Sequence, residues 1–320
     1  MREVTVVVFG GSGFIGSHVV ARLVEQGVRV LVPTRRAERA KHLIYLPRVE
    51  VIETSFSADM TLRRLVAGAD AVINLVGVLH SRRGEPYGED FKRAHVELPR
   101  RIVYACAGEQ VPRYLHMSAL GADREGPSMY QRSKADGEVA ARAHEAVAAT
   151  IFRPSVVFGP GDSFLNTFAN MQRFLPVVPL ASANASFQPV YVGDVAQAFV
   201  NALRLPATRH QVYPLAGPTI YTLAELVRLA GKYARHPRPV IELPPALGRL
   251  QARLFELLPG DPIMSRDNLD SMKADNVVDP AIQALSAAAL GIKLTAREAI
   301  APHYLGASDH FDDLRARAGR

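Results

Sequence analysis

Val4-Thr5-Val6-Val7-Val8-Phe9-Gly10-Gly11-Ser12-Gly13-Phe14-Ile15-Gly16 carries an unbroken apolar strand straight into glycines spaced G-x-x-G-x-x-G. Strand, glycines and helix in that order describe a cradle for a nucleotide pyrophosphate. Gly10 permits a tight turn at the strand's carboxyl end, Gly13 removes the Cβ that would keep a phosphate off the backbone, and Gly16 lets the helix approach the sheet. The first N–H groups of that helix, around Phe14 and Ile15, have no intrahelical acceptor and sit at the positive end of the macrodipole. A diphosphate there supplies both the acceptors and the complementary charge. Glycines at a strand-to-helix junction also occur for purely structural reasons, and the flanking pattern decides against that reading. The strand is β-branched with no charge after Glu3, as a central parallel strand requires. Phe14 to Gln26 then sets Ile15, Val19, Val20, Leu23 and Val24 on one helical face before Gly27 stops it.

Further along, apolar strands alternate with helical patterns. The expected strands are 3–9, 28–33, 49–53, 70–76, 113–117 and 149–153, and the expected helices are 14–26, 59–67, 89–108 and 130–145. This is the rhythm of an α/β doubly wound parallel sheet, whose right-handed crossovers bring all strand carboxyl ends to one ligand-binding edge. After Arg153-Pro154 the rhythm breaks and prolines punctuate short elements. A nucleotide-binding domain over 1–154 is therefore expected, followed by a smaller, mixed substrate or partner lobe over 155–320 whose segments partly return to the main sheet.

The 320-residue chain is 48% apolar and 22% charged, an ordinary globular composition with room for both parts. Its longest apolar runs are of strand length, and the N-terminus enters the first strand directly, so a cytoplasmic protein is expected. Cys106, the one cysteine, lies in an Ala-rich helix and reads as a buried inert thiol. The ten histidines lack metal-ligand spacing, and no metal is expected. The net charge of +7 is dispersed apart from Arg35-Arg36 and the Arg315, Arg317, Arg320 tail, which argues against nucleic acid as a partner.

At the end of the second strand an NAD site carries an acid for the ribose 2′-hydroxyl, roughly 20 residues past the glycines. This chain has Arg35 and Arg36 instead. Guanidinium groups grip a 2′-phosphate bidentately, so NADP(H) is expected over NAD(H), the alternative being two merely solvated arginines. Tyr130-Gln131-Arg132-Ser133-Lys134 places a phenol and an ammonium on one helical face, and Ser118 stands where a parallel strand ends. A unit charge at 4 Å is worth about 4 kcal/mol at an effective dielectric near 20, so Lys134 is expected to lower the Tyr130 pKa. Tyr130 then exchanges a proton with a substrate oriented by Ser118. Leu247, Leu250, Leu254, Leu257 and Leu258 form an apolar stripe with arginines opposite, which either packs on a core or meets a partner or membrane surface. Asp194 is expected to cap a helix.

Gly10-x-x-Gly13-x-x-Gly16, Asn74-Leu75-Val76-Gly77, Ser118, Tyr130-x-x-x-Lys134 and Arg153-Pro154-Ser155-Val156-Val157-Phe158-Gly159-Pro160 together resemble the extended short-chain dehydrogenase/reductases, epimerase/dehydratase-like proteins of Rossmann fold, over nearly the whole chain. His95-Val96-Glu97, Ser118-Ala119-Leu120-Gly121-Ala122, Phe187 to Ala196 and Asp275-Asn276-Val277-Val278 are similar to the atypical branch that contains the NADPH-binding accessory subunit of respiratory complex I and its bacterial relatives. The resemblance implies cofactor contacts from Val76, Gly77, Lys134, Pro154 and Val156. It implies either hydride-transfer or epimerase chemistry by Ser118, Tyr130 and Lys134 on a small carbonyl or hydroxyl compound, or a dinucleotide held for structure or redox sensing in a respiratory or quinone-related assembly, peripheral to a membrane. Two positions depart from the enzyme pattern. His95 stands where a helix asparagine often completes the site, and Glu53-Thr54-Ser55-Phe56 lacks the usual acid after the third strand, leaving adenine contacts to Ser55 or Phe56.

Overall fold

The computed structural model describes residues 3–260 and 262–306, and the Arg315, Arg317, Arg320 cluster lies outside them. The chain forms two units: Met1–Pro154 with Gly193–Leu215 and Asp279–Lys293, and Ser155–Val192 with Ala216–Val278 and the segment from Leu294 onward.

In the first unit seven parallel strands run β1 Thr5–Phe9, β2 Arg29–Thr34, β3 Val49–Glu53, β4 Ala71–Asn74, β5 Arg113–Met117, β6 Ala148–Pro154 and β7 Val212–Leu215. Their order in the sheet is β7-β6-β5-β4-β1-β2-β3. β1 pairs on one side with β2, Val6 opposite Val30, and on the other with β4, Phe9 opposite Asn74. Strand order therefore reverses between β1 and β4, and the crevice at a doubly wound sheet's carboxyl edge opens at such a reversal. Val6 to Phe9 are fully buried because helices cover both faces. The helices are α1 Phe14–Glu25, α2 Asp59–Val66, α3 Leu98–Gly108 and α4 Met129–Ala141, with Val192–Arg204 and Pro280–Leu290 returning from later in the chain. Phe9, Leu62, Ile102, Tyr114 and Ile151 meet in the core between sheet and helices. Cys106 is buried there, and the loss of solvent pushes its thiol up to about 12, so it stays protonated and inert.

Three expectations change. β7 was not foreseen: it is short, contains Pro214, and pairs only with β6. An edge strand tolerates a proline that a central one does not. The helix expected over 130–145 ends at Ala141. Asp194 lies inside the first turn of Val192–Arg204 rather than ahead of it, so its charge acts on the helix dipole from within.

The second unit contains helices Phe164–Phe174 and Leu223–Tyr233, joined by Gln172, whose Nε2 donates to the Val227 carbonyl at 2.7 Å. Its strands form pairs only, such as Val157–Phe158 with Val190–Tyr191. Among the described residues no helix is long and apolar enough to cross a membrane, and no group of three His, Cys, Asp or Glu is placed to hold a metal ion.

Candidate functional site

Gly10 sits at φ +78°, and a Cβ there would lie 3.0 Å from the Leu75 carbonyl carbon and the Val76 nitrogen. Only glycine both adopts that conformation and lets the β1 and β4 ends approach so closely. A Cβ on Gly16 would collide with the Gly10 carbonyl oxygen, so this glycine seats α1 on the turn itself rather than on the sheet. Gly13 differs. A Cβ there would meet only the Gly10 carbonyl oxygen, at 3.3 Å, and the space beyond is open. Gly13 is also the N-cap of α1, which has no side-chain cap and no acid in its first turn. The helix terminus at Phe14 and Ile15 is thus left for an external anion, and the glycine cradle fits a dinucleotide diphosphate.

Arg35 and Arg36 follow β2, are exposed, and make no ion pair among the described residues. Glu53, ending β3, accepts the Ala37 N–H at 3.1 Å, so this acid is engaged with the backbone of the arginine loop. Ser55 is exposed with its hydroxyl on Ser57, while the Phe56 ring packs edge-on against Phe9 at 5.5 Å. Of the two adenine candidates Ser55 is exposed and Phe56 is half-buried.

Past β4, the Asn74 side chain accepts the Val76 N–H at 3.1 Å, and His95 Nε2 accepts the Val78 N–H at 3.1 Å. Gly77 between them is exposed, with Lys134 Nζ 3.3 Å from where its Cβ would stand. His95 comes from a π-helical turn, Lys92–Glu97, directly before α3. Its Nε2 is an acceptor, so the neutral ring carries its proton on Nδ1 and donates it to Ser133 Oγ at 2.9 Å. Ser133 in turn donates to the Tyr130 carbonyl at 2.8 Å. Burial, then the Lys134 and His116 charges, hold the His95 pKa well below the usual range, which keeps this tautomer neutral. A Cβ on Gly137 would run into the His95 carbonyl oxygen, so α4 crosses the π turn backbone to backbone. His95 therefore clamps the Val78 end of the loop that follows β4.

Tyr130 and Lys134 do share a face of α4. Lys134 Nζ lies 5.7 Å from the Tyr130 ring centroid, and His95 and Phe91 pack edge-on against the same ring at 5.6 and 5.9 Å. The expected lowering of the phenol pKa does not occur: desolvation pushes Tyr130 up to about 12. The ammonium is the group that moves. Burial brings Lys134 down to about 8, with the Glu138 charge opposing the fall, and Nζ donates to the Met117 carbonyl at 3.3 Å.

Ser118 is 2% exposed and donates its proton to Glu138 Oε1 at 2.6 Å, so that proton is not directed at a substrate. Glu138 stands one turn past Lys134 and also takes both arms of the Arg153 guanidinium, at 2.7 Å each. Sequence reasoning missed this pair. The signal was present in Glu138 at i+8 from Tyr130, which puts three polar side chains on one helical stripe. Pro154 ends β6 in the first unit, and Val156 belongs to the second.

Residues 6–216 match the model of the NAD dependent epimerase/dehydratase family. The chain belongs to that family. It is an extended short-chain dehydrogenase/reductase, a family that binds a nicotinamide dinucleotide. Subunit 9 of the NADH dehydrogenase (ubiquinone) 1 alpha subcomplex from Mus musculus mitochondria is 32% identical over 311 residues, covering 94% of this chain and 80% of that protein. A ceramide reductase from Caulobacter vibrioides is 30% identical over 242 residues, covering 75% of this chain and 73% of the other. Among solved structures, the UDP-glucuronic acid 4-epimerase of Bacillus cereus, bound to UDP-glucuronic acid and NAD, superposes with a TM-score of 0.72 at 17% identity over 97% of this chain and 99% of that one. At that identity the likeness shows the epimerase/dehydratase fold.

Proposed function

We propose that the chain is an NADP(H)-dependent oxidoreductase that reduces the carbonyl of a small organic substrate, with Tyr130 as proton donor. The observation carrying this reading is the protonated, desolvated Tyr130 phenol beside Lys134 on the stripe of α4 that faces Gly77. Arg35 and Arg36, exposed past β2 and without an ion pair among the described residues, support a 2′-phosphate and so NADP(H) over NAD(H). When bound, the nicotinamide supplies or accepts the hydride. The residues of this chain do the rest. The N-terminus of α1 with Gly13 holds the diphosphate, and Ser55 edges the adenosine side. Tyr130 gives its proton to the oxygen of the carbonyl undergoing reduction. Lys134, mostly protonated at neutral pH with a pKa of about 8, stabilises the phenolate left behind and would also hold the ribose of the bound cofactor. Ser118 acts one step removed, holding Glu138 where its charge keeps Lys134 an ammonium. A reductase among the relatives supports the direction.

The second reading is an NADPH-holding accessory protein of a respiratory assembly. The Ser118 hydroxyl engaged by Glu138 favours it, because a serine that orients a substrate keeps its proton available. So does the similarity to a subunit of NADH dehydrogenase (ubiquinone). Single-turnover loss of nicotinamide absorbance, with NADPH-loaded protein against a panel of quinones, aldehydes and ketones, separates the two. The enzyme reading expects wild type to consume NADPH and Tyr130→Phe to slow it by about 100-fold to 10,000-fold with unchanged NADPH affinity. Turnover equal in both removes Tyr130 as the donor. No turnover in either favours the accessory role.

A further inference from the structure

The leucine stripe does not pack on a core. In helix Pro245–Phe255 the residues turned inward are Gly248 and Ala252, which rest against Ala181, Met264 and Leu269 in the second unit. Leu247, Leu250, Leu254, Leu257 and Leu258 are each more than half exposed, and Ile241 and Ile263, flanking the helix in sequence, are exposed to the same degree. At about 100° per residue Leu247, Leu250 and Leu254 fall within about one sixth of the helix circumference, and Leu257 and Leu258 follow just past its end. Gly248 and Ala252, with Phe255 at the helix end, thus seat the helix, and its leucines face solvent. Large apolar side chains gathered on one exposed face mark an interaction surface.

The charges beside it point to the occupant. The helix carries Arg249 and Arg253 and no acid. The neighbouring acids are engaged: Asp270 with Arg249 and Lys273, Glu256 with Arg266, and Glu242 with the Asn184 amide. Arg253 is exposed and makes no ion pair among the described residues. On the helical wheel it borders the leucines, where a long side chain lying at a bilayer surface reaches back to the headgroups. We propose that helix Pro245–Phe255, with Leu257 and Leu258 beyond its end, docks in the plane of an anionic lipid surface, its leucines among the acyl chains and Arg253 on the lipid phosphates. The inference is independent of the redox reading, since none of these residues belongs to the dinucleotide site.

Flotation of the full-length protein with vesicles tests it. Wild type is expected to float with phosphatidylcholine vesicles containing phosphatidylglycerol, and to bind pure phosphatidylcholine about tenfold less or weaker. Leu250→Glu/Leu254→Glu should lower partitioning by at least about tenfold while NADPH affinity and thermal unfolding stay at wild-type values. Arg253→Glu should weaken binding to the anionic vesicles and flatten its dependence on salt. Leu257→Ser/Leu258→Ser, outside the helix, gives a second reading should the first pair disturb folding. The proposal is overturned by wild-type protein that stays unbound, or by both leucine variants floating like wild type. It is equally overturned by a light-scattering dimer that the leucine variants split without any vesicle binding, because the face would then pair with a second copy.

Discussion

Glu138 grips the Arg153 guanidinium with both carboxylate oxygens at 2.7 Å, and on the first of them it also receives the Ser118 hydroxyl at 2.6 Å. The carboxylate is buried, while about a third of the Arg153 side chain remains exposed. Helix α4, the end of β5 and the end of β6 are thereby tied at one point, a turn away from Lys134.

Removing the charge but not the shape tests that tie. Glu138→Gln leaves a guanidinium without its counter-ion, and solvent access to Arg153 softens the loss to about 1–3 kcal/mol. Urea unfolding of Glu138→Gln, Arg153→Met and the double variant should show strong non-additivity. Additive losses would mean the pair contributes little beyond its separate parts.

Lys134 gives a pH dependence of defined sign. Its folded pKa, about 8, lies below the ordinary lysine value of 10.5, so the folded state binds fewer protons than the unfolded state between those limits. Stability from this group therefore rises with pH across that window, and the destabilisation is fully present below about 8. The stability advantage of Lys134→Met over wild type should be largest at pH 7 and shrink toward pH 10. A difference that stays flat would place the Lys134 pKa at its ordinary value.

Gly13 and Gly16 should fail in different ways. Gly13→Val fills open space at the α1 terminus, so calorimetry should find NADPH binding lost while unfolding shifts by less than about 1 kcal/mol. Gly16→Ala drives a methyl into the Gly10 carbonyl and should cost about 1–3 kcal/mol of stability. Wild-type NADPH affinity in Gly13→Val would remove the cradle assignment.

For the cofactor preference, Arg35→Ala/Arg36→Ala should weaken NADPH by about 1.5–3 kcal/mol and leave NADH nearly unchanged, as expected of charge-assisted contacts made only to the 2′-phosphate. Equal losses for both cofactors would remove the arginines from that role.

Local patterns were legible and long-range ones were not. The β1 cradle announced itself because strand, turn and helix are contiguous, and Tyr130 with Lys134 because helical spacing alone puts them together. The Glu138–Arg153 pair needed β6 to lie beside α4, a relation no local period encodes. The phenol's pKa failed for a similar reason: sequence supplies the ammonium but not the desolvation that outweighs it. The leucine stripe was visible as a pattern, but which side faced inward depended on how closely Gly248 and Ala252 could approach Ala181.

The crossing of Gly137 with the His95 carbonyl has a consequence for how such a protein changes over time. Main chain rests on main chain there, so the gap between the two segments is independent of the side chains at 95, 130 and 134. Exchanging any of these alters the chemistry without shifting the frame, and a reductase and an inert dinucleotide holder then lie only a few substitutions apart on the same scaffold.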